Sequence, residues 1–401
     1  MNVRRSAAVL AATVVIGTAT PAMAADSSPS PSPSVALPSG LYGDSDPTYD
    51  GVWRQSLALI AQHRTKVKPA DKAVDWLLGQ QCKNGAFAAF RAEPAKACDA
   101  EVMVDTNSTA VAAQALSVLD DDRHMDRAVK AADWLKSVQN KDGGWGYTPG
   151  SPTDANSTSL VVGALAAVGQ DPGTVVTGGK SPLDALGKLD IPCADGGGFA
   201  YQPDKKGKLT ANGDATAAAV VGVLGLSMVS AQADDKAGTG CDDAAPAANG
   251  ASYLAATLKK DGHLKSALAG SEDQPDYGNT ADAVVALAVT GGKKAAQKPL
   301  TWLEQNSADW AKANGPAAYA QLVLAAEAAG ADPRAFGGTD LVKQLNATGP
   351  APKTETKAAA EEKKKDDEDG GVSVWWIIGV GLVGGIGVGF LISGRNKGRQ
   401  A

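Results

Sequence analysis

The sequence predicts an all-α protein, an (α/α)6 toroid of about six inner and outer helix pairs. Three observations predict it. "KAVDWLLGQQCKNGAFA" (72–88) and "KAADWLKSVQNKDGGWG" (130–146) are copies of one unit: basic, Ala, two residues, Trp-Leu, three residues, Gln, then Gly-x-aromatic. A second, nearly all-apolar unit follows each copy, and Thr109, Thr158, Thr216 and Thr280 align its clearest members. The pair recurs about every 50–65 residues, which marks a repeat architecture. An apolar helix cannot be buried by its own repeat alone, so repeats must stack, and about six can close into a ring.

Taken in chain order, residues 1–24 open with Arg4 and Arg5, continue through an apolar run and end in Ala22-Met23-Ala24, the pattern of a secretory signal peptide. Residues 25–40 contain "SSPSPSPS", a Pro/Ser-rich linker. The toroid is expected over 41–348. "DGVWRQSLALIAQH" supplies its first inner helix. The others start in "VDTNSTAVAAQALSVL", "TDANSTSLVVGALAAV", "NGDATAAAVVGVLGLS", "GNTADAVVALAVTG" and "NGPAAYAQLVLAAEAAG". Asp, Asn, Ser and Thr at these starts are N-cap residues, whose side-chain oxygens accept from free backbone N–H groups. The two Asn-Ser-Thr triplets share one place in the repeat and read as caps. Fainter outer copies are "SPLDALGKLDIPCADGGGFAY", "ASYLAATLKKDGHL" and "KPLTWLEQNSADW".

Residues 349–371 form a charged stalk that cannot build a core. The uncharged run "VWWIIGVGLVGGIGVGFLI" matches one hydrocarbon thickness, so 372–393 is expected to be a transmembrane helix with Trp375 and Trp376 at one interface. Gly381, Gly385 and Gly389 recur every fourth residue and would let a partner helix approach. The basic tail 394–401 belongs on the cytoplasmic side. The expected protein is thus single-pass in the cell membrane with its toroid extracellular.

In that compartment four cysteines form disulfides. Sequence allows three pairings, and proximity favours Cys82–Cys98 and Cys193–Cys241. With no CxxC and three scattered histidines, no zinc site is expected. A net charge of -6 and the lack of a basic patch argue against nucleic acid as a partner.

The unit carrying Trp76, Gln81 and Phe87, and again Trp134, Gln139 and Trp145, resembles the QW repeat of squalene–hopene cyclases and of protein prenyltransferase β subunits. The resemblance covers roughly 41–348, implies the toroid, and implies that the motif aromatics are packing staples. The enzymatic signatures of these relatives are not found. "LDDDRH" at Asp120 to Asp122 lacks the Asp-x-Asp-Asp spacing, and no Cys or His falls on the inner helices to hold zinc. Nor is the Gly-Cys-Gly-Glu-Gln of thioester toroids present. "GTVVTGGKS" has one residue too many for a phosphate loop, no Gly-x-Ser-x-Gly occurs, and Glu272, Asp273 and Asp276 read as an acidic surface loop. No catalytic residue, metal or cofactor is therefore assigned.

What remains is binding. Asp105 and Thr106, followed by small apolar residues, resemble the inner-helix starts of the secreted corrinoid carriers intrinsic factor and transcobalamin. That similarity implies an amphipathic small-molecule ligand, a corrinoid first, handed to a membrane importer, although the β-rich second domain of those carriers is missing. The alternatives are a filled toroid used for surface adhesion or scaffolding, and an isoprenoid-acting enzyme. Parallel inner helices place all their N-termini on one rim. The ligand-binding residues expected there are Phe90, Asp105, Thr106, Tyr147, Asp154, Tyr201, Asp214, Tyr277 and Asp282.

Overall fold

Segments made almost wholly of Ala, Val, Leu and Gly are stable as helices only when surrounded by protein, and the fold is built to surround them. The computed structural model describes residues 37–119, 121–267 and 273–353. The expected signal peptide, most of the expected linker and stalk, the expected membrane span with Gly381, Gly385 and Gly389, and the basic tail lie outside these residues. Among the described residues no helix is long and apolar enough to cross a membrane.

The inner helices begin with α1 (Gly51–Arg64), α3 (Thr106–Leu116), α5 (Ala155–Ala167) and α7 (Gly213–Val223). α9 (Tyr277–Asn306) reverses at Gly292, where φ is 66°, so residues 277–291 run inside and 293–306 outside. α10 (Ala308–Ala329) turns in the same way at Gly315, leaving 316–329 inside. Around the ring α1 packs on α3, α3 on α5, α5 on α7, α7 on α9, α9 on α10, and α10 back on α1. The outer layer is α2 (Asp71–Gln80), α4 (Asp122–Ser137), α6 (Pro182–Gly187), α8 (Pro246–Leu258), residues 293–306 and α11 (Leu341–Ala347). Close approach inside the ring depends on missing side chains. A Cβ at Gly163 would press on Gln114 of α3, and one at Gly222 on Ser159 of α5.

One threonine hydroxyl closes each of four connections from an outer helix to the next inner helix. The backbone N–H of Phe87 donates to Thr109 Oγ1 (2.9 Å), and that of Trp145 to Thr158 Oγ1 (3.0 Å). The same bond runs from Phe199 to Thr216 (2.9 Å) and from Leu264 to Thr280 (3.0 Å). Short antiparallel pairs bring the two segments together at β1 (Phe87–Ala88) with β2 (Val104–Asp105), and at β3 (Leu264–Lys265) with β4 (Pro275–Asp276).

The QW side chains secure the loop itself. Gln81 donates to the carbonyls of Gly85 and Arg127, the second lying on the neighbouring outer helix. Gln139 donates to Gly143 and Val175 in the same manner. Gly85 and Gly143 sit at φ of 103° and 93°, which a side chain would resist. A Cβ at either would also collide with a carbonyl of the adjacent repeat, that of Lys130 or Ser181. Trp145 is 1 % exposed and donates its indole N–H to Leu135 O at 2.8 Å, so it packs the loop back on α4.

The ring is tied at both chain ends. Gly43 N donates to Thr348 O at 2.8 Å, and buried Tyr42 receives Gln62 Nε2 at 2.9 Å. Burial pushes that phenol up to about 12. Packing continues to Lys353, whose ammonium pairs with Asp71 at 2.6 Å. The disulfides Cys82–Cys98 and Cys193–Cys241 form as proximity predicts.

Trp145→Ala should lower the unfolding free energy by about 3–5 kcal/mol in a denaturant titration, because it leaves a large cavity in a close-packed wall. Thr158→Val keeps the volume but orphans the Trp145 N–H, and should cost about 1–3 kcal/mol. Losses near zero for both would mean that the connection is not held by this latch.

Candidate functional site

The inner helices start on one rim, and the starts of α3, α5, α7 and α9 are each capped by a side chain. Asp105 accepts from Ser108 N, Asp154 from Ser157 N, Asn212 from Ala215 N, and Asp276 from Asn279 N. Neighbouring loops finish the job: Thr106 N donates to Tyr147 O at 2.8 Å, and Ala155 N to Tyr201 O at 3.0 Å. Burial raises the Asp105 and Asp154 carboxyls, with their hydrogen bonds opposing the shift.

At the opposite end the chain between α7 and α8 crosses the C-termini of the inner helices. Met228 N donates to Gln114 Oε1 near the end of α3 (2.9 Å), and Arg64 at the end of α1 donates to Val229 O (2.5 Å). Asp234 N and Gly238 N reach Ala288 O and Thr290 O of α9. This crossing segment is a plug. Between rim and plug lies a cavity of about 310 Å³ inside the ring.

The cavity wall changes character along its axis. Near the rim it presents Asn107, Asn156, Asp214, Asn279 and Asp282; toward the plug come Leu160, Val221, Leu226, Met228, Val285 and Leu324. Asn107, Asn156 and Asp214 each stand two residues before a latch threonine, so the repeat itself sets them on one level. Asn156 Nδ2 donates to Asp214 Oδ2 at 2.7 Å. That bond turns Asn156 Oδ1 away, and it is buried without a partner, as are Asn107 Oδ1 and Ser159 Oγ.

Asp282 stands two residues after its latch threonine, one turn deeper than the ring of amides. Val111, Leu160 and Ala218 hold the equivalent places in the other repeats. Its carboxyl faces the cavity and is enclosed by protein on its remaining sides. Desolvation first, then the nearby Asp214 and Asp276 charges, push it up to about 7. Asp214 is raised chiefly by desolvation, with its bond to Asn156 opposing. No Lys, Arg or His lines the cavity. The result is a carboxyl part of whose population keeps its proton near neutral pH, with apolar wall toward the plug and polar side chains toward the rim.

The expected site residues therefore separate. Asp214 and Asp282 line the cavity. Asp105 and Asp154 are buried caps, and Thr106 is fully buried with its hydroxyl unpartnered. Tyr147 and Tyr201 stay half-exposed on the rim, the Tyr201 hydroxyl bonding to Asp154. Phe90 stacks on Trp76 at 6.5 Å between ring centroids, and Tyr277 packs against Trp302 and Trp310. Asn107, Asn156, Ser159 and Asn279 went unread, although the register of the threonines would have placed the first two. Among the described residues no cluster of His, Cys, Asp and Glu could hold a metal ion.

Residues 105–171 match the family model described as the squalene-hopene cyclase C-terminal domain. A drimenyl diphosphate synthase from Streptantibioticus cattleyicolor is 39 % identical over 95 residues, which is 24 % of this chain and only 16 % of that enzyme. Among solved structures, a type II terpene cyclase from Scytonema in its apo form is 15 % identical, covers 73 % of this chain and 98 % of its own, and has a TM-score of 0.32. A sugar epimerase from a ruminal bacterium is 15 % identical, covers 70 % and 81 %, and has a TM-score of 0.42.

Asp282 makes stability depend on pH. An unfolded Asp titrates near 4, and the folded carboxyl near 7. Between these values the native state binds more protons, so stability falls as pH rises through this window. With cavity water moderating the effect, a loss of at least ~1 kcal/mol is expected between pH 4 and 8. Asp282→Asn should flatten the curve and be more stable than wild type at pH 8, with a residual slope from Asp105, Asp154 and Asp214. Parallel curves for the two proteins would show that Asp282 is not the buried acid.

Proposed function

Given a chain built as a prenyltransferase and squalene-cyclase-like toroid, we propose that it acts on an isoprenoid whose hydrocarbon chain enters the cavity. The observation that carries this reading is Asp282, a carboxyl pushed up to about 7, so that a protonated fraction persists at neutral pH, in the wall of a largely apolar chamber. In the proposed reaction its carboxyl O–H bond breaks and the proton adds to a terminal C=C. The carbocation left on the neighbouring carbon is attacked by the π pair of an internal C=C, closing a ring. Loss of a proton from the resulting cation, to the Asp282 carboxylate or through water, regenerates the acid. The Asp214 carboxylate, in the same wall, stabilises the positive charge as it develops, which lowers the barrier most in a site shielded from water. Trp53, also in the wall, adds its π face.

The cavity's size also supports this class of ligand. At about 310 Å³ it sits at the small end of small-molecule sites. A corrin macrocycle is far larger and would have to bind outside it, where the described residues supply no second wall. Corrinoid carriage is therefore not the reading the geometry favours.

Incubation of the full chain with farnesol, geranylgeraniol or squalene in D2O, followed by mass spectrometry, tests the proposal. A cyclised product carrying one deuterium is expected, and Asp282→Asn should reduce its formation at least ~100-fold, the scale of a lost general acid. No cyclised product from any of the three, or equal turnover by the variant, would overturn it.

A further inference from the structure

The polar belt of the cavity differs from one side to the other. In ring order its side chains are Gln321 on α10, Trp53 on α1 and Asn107 on α3, then Asn156 on α5, Asp214 on α7 and Asp282 on α9. On the second arc the amide donors are spent on carboxylates. Asn156 Nδ2 donates to Asp214 at 2.7 Å, and Asn279 Nδ2, on α9, donates to Asp276 at 2.8 Å. On the first arc the donors are unspent. The Trp53 indole N–H and the amide N–H groups of Asn107 and Gln321 line the cavity and find no acceptor among the described residues.

Each of the three is a donor toward the cavity for its own reason. An indole nitrogen can only donate. The Asn107 carbonyl oxygen is enclosed without a partner, so the amide nitrogen is the end left to the cavity. Turning that amide over would enclose two N–H groups in place of one oxygen. The Gln321 amide lies within 3.7 Å of where a Cβ on Gly278 would stand, in the first turn of α9, so it reaches up to the level of the other two. A hydrocarbon laid over these groups would strip their water and return no bond. An oxygen acceptor would satisfy them while the rest of the ligand fills the apolar end.

We propose that the head group of the isoprenoid presents an acceptor oxygen, that of a carbonyl, an ether or a phosphate ester, to the donor arc of Trp53, Asn107 and Gln321. This rests on the isoprenoid reading above and adds to it the bonding chemistry of the head group and the path of the chain. In the order of the ring α3 stands opposite α9, which sets Asn107 across the cavity from Asp282. A chain held by its head on one arc brings its far double bond to the acid on the other only by bending through the apolar end. A bent chain is also what ring closure requires.

Equilibrium dialysis of the full chain at neutral pH against radiolabelled farnesal, farnesyl diphosphate and farnesene, with cyclodextrin as carrier, tests the assignment on one chain length. Farnesal or farnesyl diphosphate is expected to bind at least about ten-fold tighter than farnesene, the scale of one or two net hydrogen bonds. Which of the two is tighter assigns the oxygen to a carbonyl or to a phosphate. Trp53→Phe, which keeps an aromatic ring and deletes the N–H, and Asn107→Leu should each weaken the tighter ligand several-fold. Both should leave farnesene nearly unchanged, so the hydrocarbon doubles as a check that the variants are folded. If farnesene binds as tightly as the other two, or if the variants weaken all three alike, the head-group assignment is overturned while the isoprenoid reading stands. If none of the three binds, both fall together.

Discussion

A threonine hydroxyl at the start of each of four inner helices holds those repeats in register. It sits one turn into the inner helix, where it accepts the backbone N–H of the residue that ends the preceding loop. In α3 and α7 the same hydroxyl donates to the N-cap carbonyl four residues back, Asp105 O and Asn212 O. It therefore satisfies a buried loop donor without leaving a polar group of its own unpaired. The aromatic at that loop position can then be driven into the core, as Phe87, Trp145 and Phe199 are. Everything at the rim inherits its height from these bonds, including the amides that face the cavity.

That regularity explains which parts of the molecule could be read from residues alone. Thr109, Thr158, Thr216 and Thr280 aligned the inner helices correctly because one bond demands one residue type at one place. The outer layer was harder. α6 is only six residues long, and α11 has no tryptophan to mark it, so its "LVKQLNA" went unnoticed. At the fourth connection Leu264 stands where an aromatic was expected, and the latch persists because it uses the backbone. The candidate site was half legible. Aspartates near helix starts all looked alike in sequence, but Asp105 and Asp154 are spent on capping, four residues before their latch threonines, whereas Asp282 stands two residues after its own. That difference in register is more than one and a half turns of helix, and it decides whether a carboxyl meets backbone N–H groups or a void. The informative signal was an aspartate at a register position that the other repeats fill with Val, Leu or Ala.

The chamber's two ends do opposite physical work. Toward the plug, methyl and methylene groups offer dispersion contacts and no hydrogen bonds, which suits a hydrocarbon chain. Toward the rim, amides and carboxyls are held by a network anchored in the caps, so their orientation precedes any ligand. Such a prearranged polar environment stabilises charge without having to reorganise when charge appears. The Asn156–Asp214 bond links two adjacent repeats at that level, so the polar end is a property of the ring and not of any one repeat.

The plug gives the ring a topology that an open toroid would lack. With the crossing segment bonded to α1, α3 and α9, and its far end stapled by Cys193–Cys241, the chamber is a blind alley. A ligand held in it would enter and leave by the rim, past the side chains that the helix starts place there. The closed end has two independent kinds of fastening: reduction of the staple would release only the far end of the crossing segment and leave its bonds to α1, α3 and α9 in place.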